Sequence, residues 1–197
     1  MSLRFVSFDI TVCGIDELDG HCARGVTHVL SILDPEFPVP EAFGAYGEHD
    51  RLELRFHDVI EERPGQIAPR PADIERLLLF GQRLIAQADA AGKGEHLLVH
   101  CHAGVSRSTA AMTLILAQAR PDRPAAEAMA AVVDIRPQAW PNLRMIELGD
   151  RLLGRDGEIV EAVRARYRHA LAEKPHLAPV MIEAGRAREV AVAEEGR

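Results

Sequence analysis

The sequence predicts an α/β domain, because short apolar segments with the character of strands alternate with longer segments at helical spacing. The chain has 197 residues, a length that fits one domain. It is 47% hydrophobic and 27% charged, which is the composition of a globular protein with a sizeable core. Neither an internal repeat nor a low-complexity linker divides the sequence.

Four short segments are predicted to be the strands of one sheet. Each is apolar or alternating, and rich in Val, Leu, Ile and Phe, the residue types that pack well on a pleated surface. In chain order they are Leu3 to Ile10, Val26 to Leu33, Arg51 to Phe56 and His96 to His100.

The helices are predicted from apolar residues that recur every three or four positions. The longest runs from Pro71 to Ala91, and Gly92 and Gly94 follow at the point where it should stop. The segment from Ser106 to Ala119 is apolar on nearly all sides, which predicts a helix buried in the domain centre. Three further helices are predicted: Pro124 to Val133, Leu143 to Leu153, and one around Ile159, Val160, Val163 and Tyr167.

Charge and cysteine content restrict the partners and the compartment. The formal net charge of −7 argues against a general nucleic-acid binder and against attachment to an anionic membrane. Three cysteines, at positions 13, 22 and 101, do not make a disulfide framework, so we expect a reducing, cytoplasmic compartment. The first five residues lack a signal-peptide core, and the apolar run from Ala110 to Ala117 is too short to span a bilayer. We therefore expect a soluble protein with no nucleic-acid or membrane partner.

The segment from His100 to Thr109 has the sequence His-Cys-His-Ala-Gly-Val-Ser-Arg-Ser-Thr and lies between a predicted strand and a predicted helix. A loop that curls between Cys101 and Arg107 turns its backbone N–H groups inward, and the helix adds its positive end. Arg107 can then grip two oxygens of an oxyanion. The same field favours the thiolate of Cys101, the form that attacks phosphorus. The segment therefore predicts a phosphate site with a nucleophile at its base.

These residues resemble the signature of the cysteine-dependent protein phosphatases, His-Cys-x-x-Gly-x-x-Arg-Ser/Thr, in the form typical of the dual-specificity branch. The resemblance covers about Phe5 to Leu153, and its weaker parts are Thr27 to Leu30, Arg136-Pro137 and Pro141-Asn142. It implies a tyrosine-phosphatase-like fold, with a central four- to five-stranded, partly parallel sheet and helices on both faces. We expect residues 1–154 to form the phosphatase domain and residues 155–197 a helical extension of it. For the last twenty or so residues, a solvated or loosely docked extension is favoured over a binding function.

The resemblance also implies an activity. It is phosphomonoester hydrolysis through a phosphocysteine, by a tyrosine or dual-specificity protein phosphatase that needs no metal or organic cofactor. The expected substrate is a phosphorylated protein or a small phosphate ester, and phosphate- or sulfate-like anions should bind the same loop. Lipid phosphates rank lower, because the phosphoinositide branch usually carries lysines in this loop and none is present here. The expected phosphate-binding residues are His102, Ala103, Gly104, Val105, Ser106 and Arg107.

Hydrolysis also needs an acid for the leaving group and a base for water, and one carboxyl group can serve as both. In the resembling family an Asp does so from a loop that follows the strand upstream of the nucleophile. Asp58 occupies that place here, and Glu61, Glu62 and Asp73 remain rivals.

The supporting roles are likewise implied by the resemblance. Ser108 would donate a hydrogen bond to the thiolate and ease its departure in the second step. His100 would set the environment of the thiolate through hydrogen bonding and charge, and His102 would lie exposed at the pocket rim. Gly104 supplies the backbone freedom that the turn requires.

Two other functions stay open, and a third is disfavoured. The loop could belong to a catalytically silent phosphate-binding module. It could also belong to a thiol redox or arsenate-reducing protein, which needs Cys13 or Cys22 close to Cys101. A zinc site that includes His57 and His102 is disfavoured, because adjacent residues at a strand end point in different directions.

Overall fold

The computed structural model describes residues 5–91 and 94–195. Four strands form one sheet in the order β1-β4-β2-β3, and every neighbouring pair is parallel. The strands are β1 Asp9–Cys13, β2 His28–Leu33, β3 Asp50–Arg55 and β4 His96–His100. Because they run in one direction, their carboxyl ends meet at a single edge of the sheet, where ligand sites of such sheets usually lie. The predicted α/β class is confirmed.

The first predicted strand is displaced in the structure. It was expected from Leu3 to Ile10, but Leu3 lies outside the described residues and residues 5–8 are bends. The strand instead runs to Cys13, because the parallel register with β4 pairs Asp9 with His96 and Cys13 with His100. Phe8 is nevertheless buried, so the apolar pattern predicted burial correctly and pairing incorrectly.

Helices make up most of the remaining chain. The predicted helices are present, and one of them, α2, is buried from Arg107 through Ala117 as expected. Gly94 has a φ of +118° after the first helix, whereas Gly92 lies outside the described residues. The α-helices are α1 Pro71–Ala91, α2 Arg107–Ala119, α3 Ala125–Ile135, α4 Leu143–Leu153, α5 Glu158–Glu173, α6 Leu177–Glu183 and α7 Ala187–Glu194, and two 3₁₀ helices span Ile15–Arg24 and Glu41–Ala45.

The two faces of the sheet carry different layers. Leu30, Ile32 and Val99 point into the large core built with the α-helices. Val29 and Leu98 alternate with them and point to the other face, where the two 3₁₀ helices add Leu18 and Phe43 to a smaller core. Helical segments therefore cover both faces, but the α-helices lie on one of them.

The end of the chain is docked more firmly than the sequence indicates. Helix α7 packs on α5 and buries Val190 and Ala193 in the main core. Two charged side chains of this segment, Arg186 and Glu189, are 8% and 0% exposed. The expectation of a solvated or loosely docked tail is wrong for Arg186 to Ala193, where these charges find partners inside the fold, whereas α6 has no buried residue. Within those residues, no helix combines the length and apolar character that a membrane crossing needs.

Candidate active site

The loop between β4 and α2 turns its carbonyl groups outward. The carbonyls of residues 102–106 accept hydrogen bonds from donors outside the loop: Ile15 N at 2.9 Å, Arg136 Nη2 and Nε at 2.9 Å each, Trp140 N at 2.9 Å and Ala110 N at 3.0 Å. No acceptor for the amide N–H groups of residues 102–106 is found in the described part of the chain. Since the carbonyls point out, the amides are left to face the loop centre, which is the arrangement that binds an anion.

Arg136 and Gly104 hold this shape from the outside. The Arg136 guanidinium bonds both oxygens of Glu17 at 2.8 Å while it donates to the Ala103 and Gly104 carbonyls. Gly104 has a φ of +69°, and a Cβ at this position would lie 2.5 Å from the Cys13 carbonyl carbon. Only glycine fits this turn without strain.

Cys101 lies at the base of the loop, directly after β4, and its residue is 3% exposed. Its Sγ is 3.2 Å from the Ser108 Oγ, which belongs to the first turn of α2. Ser108 is fully buried, so its hydroxyl has a fixed place beside the sulfur. A hydroxyl so placed can donate to a thiolate.

Arg107 closes the loop at the start of α2. Its Nη1 donates to Asp34 Oδ1 and to the Phe56 carbonyl, each at 2.6 Å. Its Nε is buried and has no hydrogen-bond partner among the described residues. The guanidinium is therefore fixed at one nitrogen, while the other side of its planar fork remains available for an oxyanion.

Asp58 lies at the mouth of the loop. Its Oδ1 accepts hydrogen bonds from Ser106 Oγ at 2.7 Å and Asn142 Nδ2 at 2.9 Å, and its Oδ2 is 3.2 Å from Arg186 Nη1. Burial alone would raise the pKa of Asp58, but the Arg186 and Arg107 charges and these hydrogen bonds bring the pKa below its usual value. The carboxyl group is therefore ionised at neutral pH in the free protein.

The three rival carboxyl groups lie away from this mouth. Glu61 pairs with Arg188 at 2.5 Å, and Glu62 pairs with Arg144 at 3.1 Å on the surface. Asp73 accepts the Arg70 N–H at the start of α1. None of the three lines the cavity that contains Cys101, whereas Asp58 does.

The two histidines beside Cys101 differ in environment. His100 is fully buried against Phe43, and burial lowers its pKa to about 4. It is therefore neutral at neutral pH and cannot supply the charge expected of it. Neither of its ring nitrogens has a hydrogen-bond partner within the described residues. His102 is half-buried at the cavity rim, where its Nε2 accepts the Asp34 N–H at 3.3 Å and its ring packs against Phe37.

The loop opens into a cavity of about 510 Å³. Cys101, Arg107 and Asp58 all line it. Its other walls come from the segment before α4 and from α5 and α6, and include Trp140, Leu177 and Met181 together with Arg166, Glu173 and Lys174. The cavity therefore combines the anion-binding loop with apolar and charged walls.

The structure adds residues that the sequence analysis did not assign. Asp34 follows β2 as Cys101 follows β4, so its position at the carboxyl edge of a parallel sheet was a usable signal. Asn142 caps α4 through Met145 N and also bonds Asp58, a double role that the Pro-Asn pair did not indicate. Arg186 enters from the last segment of the chain, and no sequence signal pointed to it.

Other chemistries find less support in this geometry. Cys13 belongs to the smaller core and Cys101 to the main one. Burial raises the pKa of Cys13 to about 12, and the nearby Glu17 and Cys101 add to this shift, so Cys13 is a thiol at neutral pH. Cys22 lies half-buried beside the Leu18 and Ala42 carbonyls. Among residues 5–91 and 94–195, no group of three or more His, Cys, Asp and Glu side chains is arranged to hold a metal ion.

No protein-family model matches the chain, and no curated protein matches it in sequence. Solved structures do match. Human DUSP28 has a TM-score of 0.54 at 18% identity, over 74% of this chain and 92% of that one. The PTP-2 phosphatase of Cydia pomonella has a TM-score of 0.54 at 22% identity, over 74% and 85%. PTPMT1, in complex with PI(5)P, has a TM-score of 0.51 at 18% identity, over 78% and 94%. The chain has the fold of the dual-specificity and tyrosine phosphatases.

Proposed function

We propose that this chain is a cysteine-dependent phosphomonoesterase that works through a phosphocysteine, as a protein tyrosine or dual-specificity phosphatase. The observation that carries the proposal is the outward turn of the five loop carbonyls, with Cys101 at the base of the loop and Arg107 at its end. The loop can therefore contact a ligand through amide groups, a thiol and a guanidinium. That set of groups suits a phosphoryl group in its transition state.

In the first step the Cys101 thiolate attacks phosphorus, an S–P bond forms and the ester P–O bond breaks. The electron pair of the broken bond leaves with the ester oxygen, which takes a proton from Asp58. Arg107 and the loop amides hold the three remaining phosphoryl oxygens throughout.

In the second step Asp58, now ionised, takes a proton from a water molecule that attacks phosphorus. The P–S bond breaks, and the thiolate leaves with the electron pair. Ser108 Oγ, 3.2 Å from Cys101 Sγ, stabilises the departing anion by donating a hydrogen bond. Inorganic phosphate is the second product.

Asp58 is ionised in the free protein, so it must gain a proton before the first step. A bound phosphate dianion brings negative charge next to Asp58 and offsets the Arg107 and Arg186 cations that lower its pKa. Substrate binding therefore favours the protonated form that the first step needs.

The proposed substrates are phosphorylated proteins and small phosphate esters, because the loop carries no lysine and the cavity has apolar walls. A phosphoinositide belongs in the test, since one structure with this fold was solved with PI(5)P. The proposed compartment is the cytoplasm, an assignment consistent with three free cysteines.

The experiment compares the wild type with Cys101→Ser and Cys22→Ser. Turnover is measured on p-nitrophenyl phosphate, phosphotyrosine and phosphoserine peptides and PI(5)P, and acid-quenched protein is examined by mass spectrometry for a phosphoryl group on Cys101. Cys101→Ser should lose turnover by on the order of 10⁴-fold or more while it still binds inorganic phosphate in calorimetry. Cys22→Ser should behave as the wild type, because Cys22 lies outside the cavity.

The same panel separates the alternatives. Phosphate binding with no turnover of any ester would identify a silent phosphate-binding module. Activity that consumes a thiol reductant stoichiometrically would identify a redox or arsenate-reducing protein. Full turnover by Cys101→Ser would rule out the covalent mechanism.

A further inference from the structure

The turn between α6 and α7 carries a charged side chain into the candidate active site. Arg186 donates from Nη2 to Ser106 Oγ at 2.7 Å and lies with Nη1 3.2 Å from Asp58 Oδ2. Ser106 Oγ in turn donates to Asp58 Oδ1 at 2.7 Å. The three side chains therefore form a closed set of contacts at the mouth of the phosphate loop, and both Asp58 oxygens are held.

Glu189 fixes Arg186 from behind. It lies three residues further along, is 0% exposed, and accepts from Arg186 Nε at 2.8 Å and Nη2 at 3.0 Å. It also accepts from Trp140 Nε1 at 2.6 Å and from Leu143 N at 3.0 Å. These last two donors flank Asn142, which bonds Asp58. The guanidinium is thus placed by the same segment that places the carboxyl group.

A buried ion pair of this kind is a poor way to stabilise a fold. Taking the charges of Arg186 and Glu189 out of water is costly, and apolar side chains of similar volume serve stability as well or better. Several hydrogen bonds to fixed partners do, however, confer a single geometry on the side chains concerned. The arrangement is therefore better explained by what it does to Asp58 and Ser106.

We propose that Arg186 is a positioning residue for the hydrolysis proposed above, on which this inference rests. It holds the Asp58 carboxyl group against Ser106 at the mouth of the loop, oriented toward the ester oxygen of a bound substrate. Glu189 holds Arg186 in turn. On this assignment α6 and α7 belong to the active site, although the sequence motif of that site ends at Ser108.

The effect of removing Arg186 on the pKa of Asp58 depends on the other charged and titratable groups nearby. The cations are Arg186 and Arg107, and His102 lies at the rim. Glu189 and Tyr167 lie behind Arg186. Removal of the Arg186 charge leaves Arg107 as the main cation near Asp58, so the pKa of Asp58 should rise.

The test compares Arg186→Gln and Arg186→Lys with a matched control, Arg188→Gln, in the full chain. Gln keeps the polar character and loses the charge, whereas Lys keeps the charge and loses the two-point fork. Arg188 lies two residues away on α7 and pairs with Glu61 and Glu147 outside the cavity. Folding of each variant is checked by circular dichroism.

The kinetic readout uses p-nitrophenyl phosphate and a phosphotyrosine peptide. In Arg186→Gln, kcat should fall by roughly 10²-fold with KM changed by less than about threefold, because the misplaced group acts in the transition state. The basic limb of the kcat profile should move to higher pH. Arg186→Lys should restore the position of that limb and only part of kcat, and Arg188→Gln should match the wild type. Equal effects in Arg188→Gln, or an effect on KM alone, would overturn the assignment.

A second readout does not depend on turnover. The carboxyl carbon of Asp58, identified by its loss in Asp58→Asn, is titrated by ¹³C NMR in the wild type and each variant. Arg186→Gln should raise the midpoint and Arg188→Gln should leave it unchanged. An unchanged midpoint in a folded Arg186→Gln protein would overturn the inference. If the wild type hydrolyses no ester but the midpoint still rises, the contact is established and only the proposed hydrolysis fails. If Arg186→Gln does not fold, the kcat of Arg186→Lys decides, because lysine loses the fork that contacts both Asp58 and Ser106. A kcat equal to that of the wild type would then overturn the inference.

Discussion

Arg136 joins Glu17 to the outer side of the phosphate loop, with two 2.8 Å contacts to the carboxylate and two 2.9 Å hydrogen bonds to the carbonyls of residues 103 and 104. Glu17 also accepts the Gly14 N–H at 2.6 Å, directly after β1. A single guanidinium therefore connects the end of β1 to the loop that follows β4. It keeps the two carbonyls facing away from the anion site.

Arg136→Gln should destabilise the protein and weaken phosphate binding together. The half-buried Gly104 carbonyl, the exposed Ala103 carbonyl and the Glu17 carboxylate lose their shared donor, which should cost about 1 kcal/mol of unfolding free energy. A loosened loop should also raise KM. Urea unfolding and p-nitrophenyl phosphate kinetics measure the two effects. Arg123→Gln, which breaks an exposed pair with Glu127, should cost less than about 0.5 kcal/mol and leave KM unchanged.

Arg107→Lys should reduce kcat by at least about 10²-fold even at saturating substrate. In the wild type, Nη1 of Arg107 bonds Asp34 and the Phe56 carbonyl, and the rest of the planar guanidinium can bind the phosphoryl oxygens. Lysine keeps the positive charge but has a single ammonium group. If that group bonds Asp34 and the Phe56 carbonyl, it cannot also stabilise the phosphoryl oxygens in the transition state. An effect confined to KM, measured on the same ester, would contradict this role.

His100 should make the stability of the protein pH-dependent. Burial lowers its pKa from the ordinary 6.5 to about 4, so between these values the unfolded chain binds a proton that the folded chain does not. Above pH 6.5, His100 has no effect on the free energy of unfolding. Between pH 6.5 and 4, that free energy falls by up to about 1.4 kcal/mol for each unit of pH decrease. Below pH 4, His100 causes no further loss.

The measurement is urea unfolding of the wild type and His100→Phe at pH 7, 6 and 5. His100→Phe removes the titrating group from a site that already packs against Phe43, so its stability should decline less steeply with falling pH. The control is His169→Gln on α5, where the histidine side chain is 65% exposed. Equal slopes for His100→Phe and the wild type would show that His100 takes up its proton when folded.

The parts of the site that lie in one short segment could be predicted from the sequence. Cys101, Arg107 and Ser108 are contiguous, and their geometry follows from one loop and one helix turn. The position of Asp58 could be anticipated, because the carboxyl ends of parallel strands meet at one edge of the sheet. The assignment of its catalytic role stays a prediction.

Arg186 and Glu189 could not be predicted, for a physical reason. The sequence Arg-Ala-Arg-Glu at 186–189 contains two arginines two positions apart, and one is buried at the site while the other pairs on the surface. Local pattern does not separate them, because charged residues near a chain end are usually solvated. Which charged residues are buried depends on which side of α7 faces Trp140 and Leu143. The packing of α7 on α5 sets that orientation.

The first strand was predicted too early in the chain, because an apolar pattern indicates burial and not strand pairing. Phe5 and Phe8 contribute to the main core without belonging to the sheet, and such residues give the same sequence pattern as a buried strand. The register with β4 places the strand later, at Asp9–Cys13. That shift matters for the site, because it brings Cys13 and Gly14 under the loop, where Gly104 makes its closest approach.

The role of Asp58 as the acid of the first step is tested by Asp58→Asn. If Asp58 protonates the leaving group, the basic limb of the kcat profile should disappear, because that limb reports the fraction of Asp58 that carries a proton in the substrate complex. The acidic limb should remain. Since Asp58 also accepts from Ser106 and Asn142, folding of the variant is verified first by thermal unfolding.

The loss of rate in Asp58→Asn should depend on the leaving group. A nitrophenolate departs readily without a proton, so the first step should slow least with p-nitrophenyl phosphate, whereas phosphotyrosine and phosphoserine peptides should slow further. Single-turnover kinetics isolates this step from water attack, which Asp58 also assists. Glu61→Gln, Glu62→Gln and Asp73→Asn serve as controls and should keep both limbs, because these carboxyl groups lie outside the cavity. If one of the controls loses the basic limb while Asp58→Asn keeps it, the carboxyl group changed in that control is the acid, and Asp58 serves only as an anchor for Arg186 and Ser106.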